Sequence, residues 1–399
     1  CDASNASRII KNSLVVGMKS SGSGIIDIGE TVMPVNRFAI KHFKGSGGIH
    51  IRMDKTDKNF VHIEFADEEG VNIQRSVERE IENLFNREEF KRCNAEDIQS
   101  SLNIENFQEF YVNNGVELLM DASRIKRKSP LIIISSKSQL IEELAMQFLK
   151  RIGCNVETVH DRTSEISMKE YFEIMVQRTR DRAADFGVII NENGEDMILL
   201  TQNGNIIKQE KYDMLAIMLL LKEGFWGKIV LPYNAPSSIE QIAQNSGAQI
   251  IRVKSNPSSI MKGMTMIEEG GKKGLSQYIL SYHAIWGIGM IVDFLIRKDV
   301  KLENLIKDIP KFYFIKDKVS CDWQDKGRII QKLAQEYSPE NIELFEGVKI
   351  KDKKGWTLIL PDSEKPLFNI YTEGFSEEYA EELSLFYKEK VKNLLKKQE

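Results

Sequence analysis

The 399-residue chain has the composition of an ordinary globular protein, with 42% apolar and 29% charged residues. A domain has roughly 100 to 200 residues, so the length favours several domains, and the composition excludes general disorder, collagen and a membrane bundle. The formal charge of -4 is not concentrated in a run of one sign, which disfavours a dedicated binder of DNA or of an anionic membrane.

The compartment is predicted from the cysteines and from the apolar stretches. The four cysteines are far apart and share no CxxC spacing, so neither a zinc ribbon nor a disulfide framework is indicated. No apolar stretch reaches the roughly 20 residues of a spanning helix. We therefore expect a cytoplasmic protein. The N-terminal sequence shows neither an initiator Met nor a signal pattern. We therefore also expect that the chain is part of a longer polypeptide.

The first segment is predicted to alternate helices and strands. Apolar spacing and the glycines at its turns indicate helices over 7–20 and 34–43 and strands over 25–28, 49–53 and 60–65.

Two further cycles of the same kind follow. Strands are predicted over 131–135, 155–159, 186–191, 197–201, 228–231 and 249–253, and helices over 139–152, 168–182, 212–222 and 238–246. Strand–helix–strand units that recur at this spacing predict sheets with much parallel pairing and helices on their faces. After Pro310 the pattern changes to strands with a closing helix over 376–395, which predicts an α+β domain with an antiparallel sheet.

Local sequence along most of the chain resembles the α-D-phosphohexomutases, the phosphoglucomutase and phosphomannomutase superfamily. The resemblance rests on GSGIIDIGETVMP at 22–34, the Gly47-Gly48 pair before a strand, Ala184-Asp185-Phe186-Gly187, and the segment 355–374. GGIHIRMD, VEREIENLFNREEFKR and LPDSEKPLFNIYTEG look closest to the mutase-like module at the C-terminal end of bacterial sugar-phosphate nucleotidyltransferase fusions, which resemble mannose-1-phosphate guanylyltransferases.

The resemblance implies an α/β fold of three consecutive phosphoglucomutase-type α/β/α domains, followed by a small α+β C-terminal domain around a central cleft. The implied boundaries are 1–103, with the family's N-terminal strand and helix missing, then 104–206 with the metal loop, 207–308 with the sugar loop, and 309–399.

The same resemblance places the family's phosphorylated serine at Asp54, next to Arg52 and Lys55, which we expect to bind substrate. An aspartate can form an acyl phosphate, although it is also a permanent anion. A solvated turn aspartate is the alternative interpretation.

The three aspartates of the family's metal loop align with Asn191, Asn193 and Glu195, so two of three charges are lost. Mg²⁺ relies on carboxylates, and this degenerate loop is not expected to bind it well. The expected cofactor is therefore none, or Mg²⁺ if the protein is an active mutase. His50 and His62 lie on predicted strands, where structural histidines are expected.

Two loops are further candidates for phosphate contacts. Lys272 and Lys273 lie between glycines in the segment that aligns with the sugar loop. Ser363 and Lys365 lie where the relatives carry an Arg-Pro-Ser-Gly-Thr run, but Leu360 replaces the arginine there.

Three functions follow as hypotheses. The first is a mutase-like module of sugar-nucleotide biosynthesis, with mutase activity absent or much reduced, covalently linked to an N-terminal nucleotidyltransferase region. In this hypothesis it binds a hexose phosphate or nucleotide sugar, or it regulates or assembles the nucleotidyltransferase. The second is an active mutase that uses Asp54 as its nucleophile. The third is a purely structural role in a homo-oligomer.

Overall fold

The structure is a computed structural model that describes residues 1–54, 57, 59–160, 167–225, 227–266 and 274–396. The chain forms two compact units. The large unit contains Cys1–Gly224 and Met264–Asp308, and the small unit contains Phe225–Gly263 and Ile309–Glu399.

The helices and strands are numbered in chain order. The helices are α1 (Asn5–Ser20), α2 (Met33–Phe43), α3 (Arg75–Asn86), α4 (Phe107–Glu117), α5 (Ala122–Lys128), α6 (Gln139–Ile152), α7 (Met168–Asp181), α8 (Gln209–Lys222), α9 (Ser238–Asn245), α10 (Pro257–Thr265), α11 (Gly274–Tyr282), α12 (Ala284–Lys298), α13 (Leu302–Lys307), α14 (Asp325–Glu336) and α15 (Glu377–Lys396). The strands are β1 (Ile25–Asp27), β2 (Gly47–Met53), β3 (Val61–Asp67), β4 (Ser101–Asn103), β5 (Leu131–Ser135), β6 (Asn155–Thr158), β7 (Phe186–Ile190), β8 (Met197–Thr201), β9 (Ile206–Ile207), β10 (Lys228–Pro232), β11 (Gln249–Val253), β12 (Tyr313–Ser320), β13 (Ile342–Glu343), β14 (Val348–Asp352), β15 (Gly355–Pro361) and β16 (Leu367–Gly374).

The N-terminal part of the large unit contains two separate strand pairs. β1 pairs in parallel with β4, and β2 pairs with β3 as an antiparallel hairpin. Thr31 N–H donates to Cys1 O at 2.8 Å and Asp2 N–H donates to Ile51 O at 2.9 Å. Residues 1 and 2 therefore connect the segment after β1 to β2, and the helices and strands predicted for this part of the chain are confirmed.

The second sheet of the large unit has the strand order β6-β5-β7-β8-β9. β5 pairs in parallel with both β6 and β7, while β7 and β8 form an antiparallel hairpin. Ile133, Met175 and Leu200 belong to one core cluster that holds α7 against the sheet. Parallel pairing with helices on the sheet is therefore confirmed for this segment, and the three positions aligned with the metal loop, 191, 193 and 195, lie in the β7–β8 turn.

The predicted third α/β segment contributes to both units. β10 and β11 form a parallel pair in the small unit, whereas α8, α11, α12 and α13 belong to the large unit. The contacts of these helices with the large unit, rather than chain order, decide this division. The fourfold domain boundaries at 103, 206 and 308 stay a prediction.

The small unit contains the antiparallel sheet that was predicted after Pro310, in the order β12-β16-β15-β14-β13. One face packs against α14 and α15 through a core that includes Ile329, Ile359 and Val391. Trp356 and Leu358 instead cluster with Tyr233, which follows β10. Since side chains alternate along a strand, the two sets line opposite faces of this sheet.

Within the described ranges, no helix combines the length and the apolar character that crossing a membrane requires. All four cysteines are free thiols.

Helix packing in the large unit gives a stability prediction. A Cβ on Gly115 in α4 would lie 2.4 Å from Trp286 Nε1 and 2.8 Å from Phe148 Cε2, whereas a Cβ on Gly17 in α1 would meet nothing within 4 Å. We expect Gly115→Ala to cost about 1–3 kcal/mol through overpacking. Gly17→Ala should stabilise by roughly 0.5–1 kcal/mol, because alanine favours the helix.

Urea unfolding of the two variants and the parent protein measures both effects. A Gly115→Ala protein as stable as Gly17→Ala would contradict the tight packing of α4 against Trp286.

Candidate functional site

The β2–β3 hairpin presents the position that was predicted to carry the nucleophile. A Cβ on Gly48 would lie 2.5 Å from Ile40 Cδ1, so only glycine lets α2 approach β2 this closely. Asn36 Nδ2 of α2 donates to Ile49 O at 2.8 Å and fixes the helix on the strand. Gly48 therefore sets how closely the hairpin packs against α2, while a Cβ on Gly47 would lie 2.7 Å from Ala66 O of β3. Position 54 follows directly after β2.

Asp54 is held by the hairpin around it. Its backbone N–H donates to Phe60 O at 2.9 Å, and its Oδ1 accepts from Asp57 N–H at 2.9 Å. His62 Nε2 donates to Asp54 Oδ2 at 2.7 Å. The carboxylate is thus oriented by groups on both sides of the turn, and His62 contacts the candidate site.

Arg52, predicted to bind substrate, pairs with Glu64, to which its Nε donates at 2.9 Å. Both side chains are partly exposed, at 23% and 28%. Such a pair stabilises little, so the guanidinium is available to an incoming anion at small cost. Lys55, the other residue predicted beside Asp54, lies outside the described residues.

The β7–β8 turn contains the three positions of the predicted metal loop. Gly194 N–H donates to Asn191 O at 3.0 Å, and Gly194 has a φ of +79°, a value that glycine adopts without strain. Glu195 N–H donates to Asn193 Oδ1, and Asn193 Nδ2 donates to Glu195 Oε2, each at 2.9 Å. The turn therefore satisfies its own amide groups and directs the Glu195 carboxylate to one place.

Arg37 of α2 occupies that place. Its Nη2 lies 2.5 Å from Glu195 Oε1 and its Nε 2.9 Å from the same oxygen. Arg37 Nη1 also donates to Gly70 O at 2.8 Å, and Nη2 donates to Asn72 Oδ1 at 2.6 Å. The Arg37 side chain is only 2% exposed. Burial raises the pKa of the Glu195 carboxyl, and the Arg37 guanidinium limits that rise.

These contacts test whether the loop fits a divalent cation. Both Glu195 oxygens already accept hydrogen bonds, one from Arg37 and the other from Asn193. Over the described ranges, no three His, Cys, Asp or Glu side chains are grouped so that they could hold a metal ion. Mg²⁺ needs carboxylates and near-octahedral geometry. The residues present therefore do not fit Mg²⁺, and the guanidinium supplies the positive charge next to Glu195.

The loop after β15 contains the predicted Ser363 and Lys365. Asp362 organises it, since its Oδ1 accepts from the N–H groups of Glu364 and Lys365 at 2.9 Å. Lys326 Nζ of α14 donates to the carbonyls of Asp362 and Lys365 at 2.6 Å each. Burial raises the pKa of the Asp362 carboxyl, but the hydrogen bonds from Glu364 and Asn369 outweigh it and hold that pKa below its usual range. The loop is thus a rigid turn with an anion at its centre.

The remaining predicted pair, Lys272 and Lys273, lies outside the described residues. Asp54 and Arg52 lie together on the β2–β3 hairpin, and Asn191, Asn193 and Glu195 lie together on the β7–β8 turn. α2 connects these two groups, because it packs on β2 through Asn36 and reaches the turn through Arg37.

Known proteins with similar sequences were compared with this chain. Residues 1–92 match the model of domain I of the phosphoglucomutases and phosphomannomutases, described as an alpha/beta/alpha domain. A phosphoglucomutase/phosphomannomutase of Thermococcus kodakarensis is 24% identical over 96% of this chain and 86% of its own length. A probable phosphoglucosamine mutase of Pyrococcus furiosus is 23% identical over 99% of this chain and 90% of its own length.

The sequence is thus similar to phosphoglucomutases and phosphomannomutases, in domain I by the family model and along most of the chain by these relatives. A phosphoglucomutase/phosphomannomutase family protein of Burkholderia thailandensis has the same fold, with a TM-score of 0.79 and 13% identity over 96% of this chain and 86% of its own. The phosphohexomutase resemblance inferred from the motifs is thereby supported. The finer resemblance to nucleotidyltransferase fusions is not shown by these relatives.

Two buried or partly buried cations that organise these loops, Arg37 and Lys326, were not predicted from the sequence. Arg37 lies inside an apolar helix, MPVNRFAIKHF, and a buried arginine in such a helix signals a partner carboxylate. Lys326 lies at the start of α14, where a lysine resembles any solvated residue. Only the first therefore had a usable sequence signal.

The Arg37–Glu195 pair leads to a stability prediction. Arg37→Met leaves the Glu195 carboxylate buried without its cation, which should cost about 3–5 kcal/mol. Adding Glu195→Gln to that variant should recover part of the loss, because the uncompensated charge is removed. Arg52→Met is the matched control, since it breaks a partly exposed pair worth about 0–1 kcal/mol.

Chemical denaturation of the four proteins measures these differences. If Arg37→Met costs no more than Arg52→Met, the buried pair does not stabilise the large unit.

A second prediction concerns the metal. Because Glu195 is engaged by Arg37, millimolar Mg²⁺ should leave the unfolding temperature unchanged. Differential scanning calorimetry with Mg²⁺ and with EDTA measures this, and a saturable rise with Mg²⁺ would contradict the fit described above.

Proposed function

We propose that this protein acts on hexose phosphates and interconverts the 1- and 6-phosphates as a phosphohexomutase. The observation that carries the proposal is the extent of the similarity, since curated relatives named as mutases align with 96% to 99% of the chain. The hairpin that carries Asp54 lies within the region that matches the family's domain I.

In this function Asp54 is the phosphoryl acceptor. Its carboxylate oxygen attacks the phosphorus of a hexose bisphosphate, the sugar oxygen leaves with the electrons of the broken bond, and an acyl phosphate forms on Asp54. The hydroxyl of a hexose monophosphate then attacks the phosphorus of the acyl phosphate, and the Asp54 carboxylate leaves with the electrons of the broken bond. The proton that this hydroxyl loses to water balances the one that the first sugar oxygen takes up. His62, which donates to Asp54 Oδ2, orients the carboxylate for this attack. No step is assigned to Mg²⁺, because the described residues do not fit it.

A second candidate function, binding of hexose phosphate with little or no turnover, is favoured by the Arg37–Glu195 pair. Phosphoryl transfer depends on positive charge placed at the developing anion. The buried guanidinium is committed to Glu195, Gly70 and Asn72 and faces the protein rather than a substrate. Leu360 and Asp362 likewise remove the arginine anchor of the relatives' last phosphate loop.

The relatives' names support turnover more than its loss, and no comparison points to a loss of activity. Linkage to a nucleotidyltransferase, with a nucleotide sugar as the ligand, remains a narrower hypothesis that rests on the motif resemblance alone. A purely structural role in an oligomer does not account for the hydrogen bonds that orient the Asp54 carboxylate, so it is the weakest of the three hypotheses.

The deciding experiment is a ³¹P NMR time course with mannose 1-phosphate or glucose 1-phosphate and a catalytic amount of hexose bisphosphate. We expect formation of the 6-phosphates by the unsubstituted protein and none by Asp54→Asn. Asparagine is the matched variant because its Oδ1 can still accept from Asp57, yet it cannot carry an acyl phosphate.

Calorimetric unfolding with the same sugar phosphates separates the other outcomes. Ligand at about 100 times its Kd stabilises a binding protein by about 2.7 kcal/mol. Stabilisation without product would replace the mutase proposal by the binding function. Absence of both would contradict any role on hexose phosphates and leave the structural one.

A further inference from the structure

The small unit contains a cleft of about 570 Å³ beside the turn that joins β14 to β15. Its lining includes Tyr233, Gln241, Arg252, Lys349 and Trp356, and we call it the Lys349 cleft. The turn that borders it precedes β15, whereas the loop with Ser363 and Lys365 follows β15. The cleft and that phosphate-type loop therefore lie at opposite ends of one strand.

Lys349 has an unusual position in the sheet. It pairs with Leu358 of β15, which is fully buried, and it lies on the face that carries Trp356 and Leu358. Lys349 itself is only 5% exposed. Lysine is almost never buried to this extent unless its charge is paired.

The contacts of the Lys349 ammonium group are aromatic. Its Nζ lies 3.9 Å from the ring centroid of Trp356 and 4.9 Å from that of Tyr233. Such rings attract a cation through their negative faces. Among the described residues, none forms a hydrogen bond or an ion pair with Lys349 Nζ.

The carboxylates near the cleft are already engaged. Glu343 accepts from the Tyr233 hydroxyl at 2.8 Å and pairs with Lys351. Glu373 accepts from Ser237 N–H at 2.7 Å and from Trp356 Nε1 at 2.5 Å.

Glu240, the third carboxylate of the lining, accepts from Arg252 Nε at 2.8 Å. Asp352, the fourth, accepts from the Tyr379 hydroxyl and from Lys354 N–H. Lys349 is therefore a buried ammonium group that no described carboxylate pairs with, whereas Lys353 and Lys354 of the same lining are exposed to solvent. Rings alone compensate a buried cation only in part.

We propose that the Lys349 cleft binds a small phosphorylated anion, with a phosphate oxygen accepting from the Lys349 ammonium group. Arg252 adds positive charge, and Gln241 adds an amide donor on the same lining. The cleft is larger than a phosphate ion, and Phe375, which is 60% exposed, offers an aromatic surface for the body of the ligand. The site is independent of the hexose-phosphate chemistry proposed above, because it uses none of the same residues.

The acid–base behaviour of Lys349 agrees with this geometry. Burial and then Arg252 lower the pKa of Lys349 to about 8, while Glu343 and Glu240 oppose the shift and Lys351 adds to it. A bound anion favours the charged ammonium group and raises that pKa. Binding should therefore be strongest below pH 8 and weaken as the pH rises further.

The test is isothermal titration of the full chain with pyrophosphate and with inorganic phosphate at pH 7. We expect saturable binding of at least one of them, and Lys349→Met should weaken it about tenfold or more through loss of a charge-assisted hydrogen bond. Lys351→Met is the matched control, since it removes the same charge from the same face of the same strand but from an ammonium group already paired with Glu343. Its affinity should remain close to that of the parent.

A measurement on the unsubstituted protein covers the case that Lys349→Met does not fold. NMR of lysine side chains across pH 6 to 10 should show one lysine that titrates near pH 8, and pyrophosphate should raise that midpoint. Equal affinities of Lys349→Met and Lys351→Met, absence of saturable binding of both anions, or a midpoint that pyrophosphate does not move would each overturn the proposal. Because Asp54→Asn leaves the cleft untouched, failure of the mutase proposal would not affect this result.

Discussion

The large unit depends on one buried cation. The Arg37 guanidinium joins α2 to Gly70, to Asn72 and to the β7–β8 turn through hydrogen bonds of 2.5 to 2.9 Å. A charge that is 2% exposed is tolerated only where its partners are placed with little freedom. The positions of α2, of the hairpin that packs on it and of the turn at Asn191 are therefore set together.

The same constraint changes what the β7–β8 turn can do. A carboxylate that faces solvent can exchange water for a cation, whereas the Glu195 side chain is only 14% exposed and both of its oxygens accept hydrogen bonds. The turn keeps the backbone shape of a β-hairpin, while its carboxylate binds groups of the protein and is not free to bind a cation. Fold and site are separable in this protein, because core periodicity and site charges are carried by different residues.

Much of the fold was predictable from the sequence, and less of the site. The strands that begin at Gly47 and at Phe186 could be predicted from their apolar residues and from the glycines at nearby turns, because both signals are local in sequence. Asp54 and Glu195 were located by resemblance, but their partners His62 and Arg37 are eight and 158 residues away. Pairing over such separations depends on tertiary structure. Lys349 was missed for the same reason, since its burial follows from Tyr233 and Trp356.

The Glu373 carboxylate that accepts from Ser237 has a consequence for the order of folding. It supplies the acceptor at the start of α9 from 136 residues further along the chain. A helix of eight residues is too short to be stable alone in water. During synthesis, α9 must therefore wait until β16 has left the ribosome before its first turn is capped. The small unit can therefore fold cooperatively only after both of its chain segments, on either side of residues 264–308, have been synthesised.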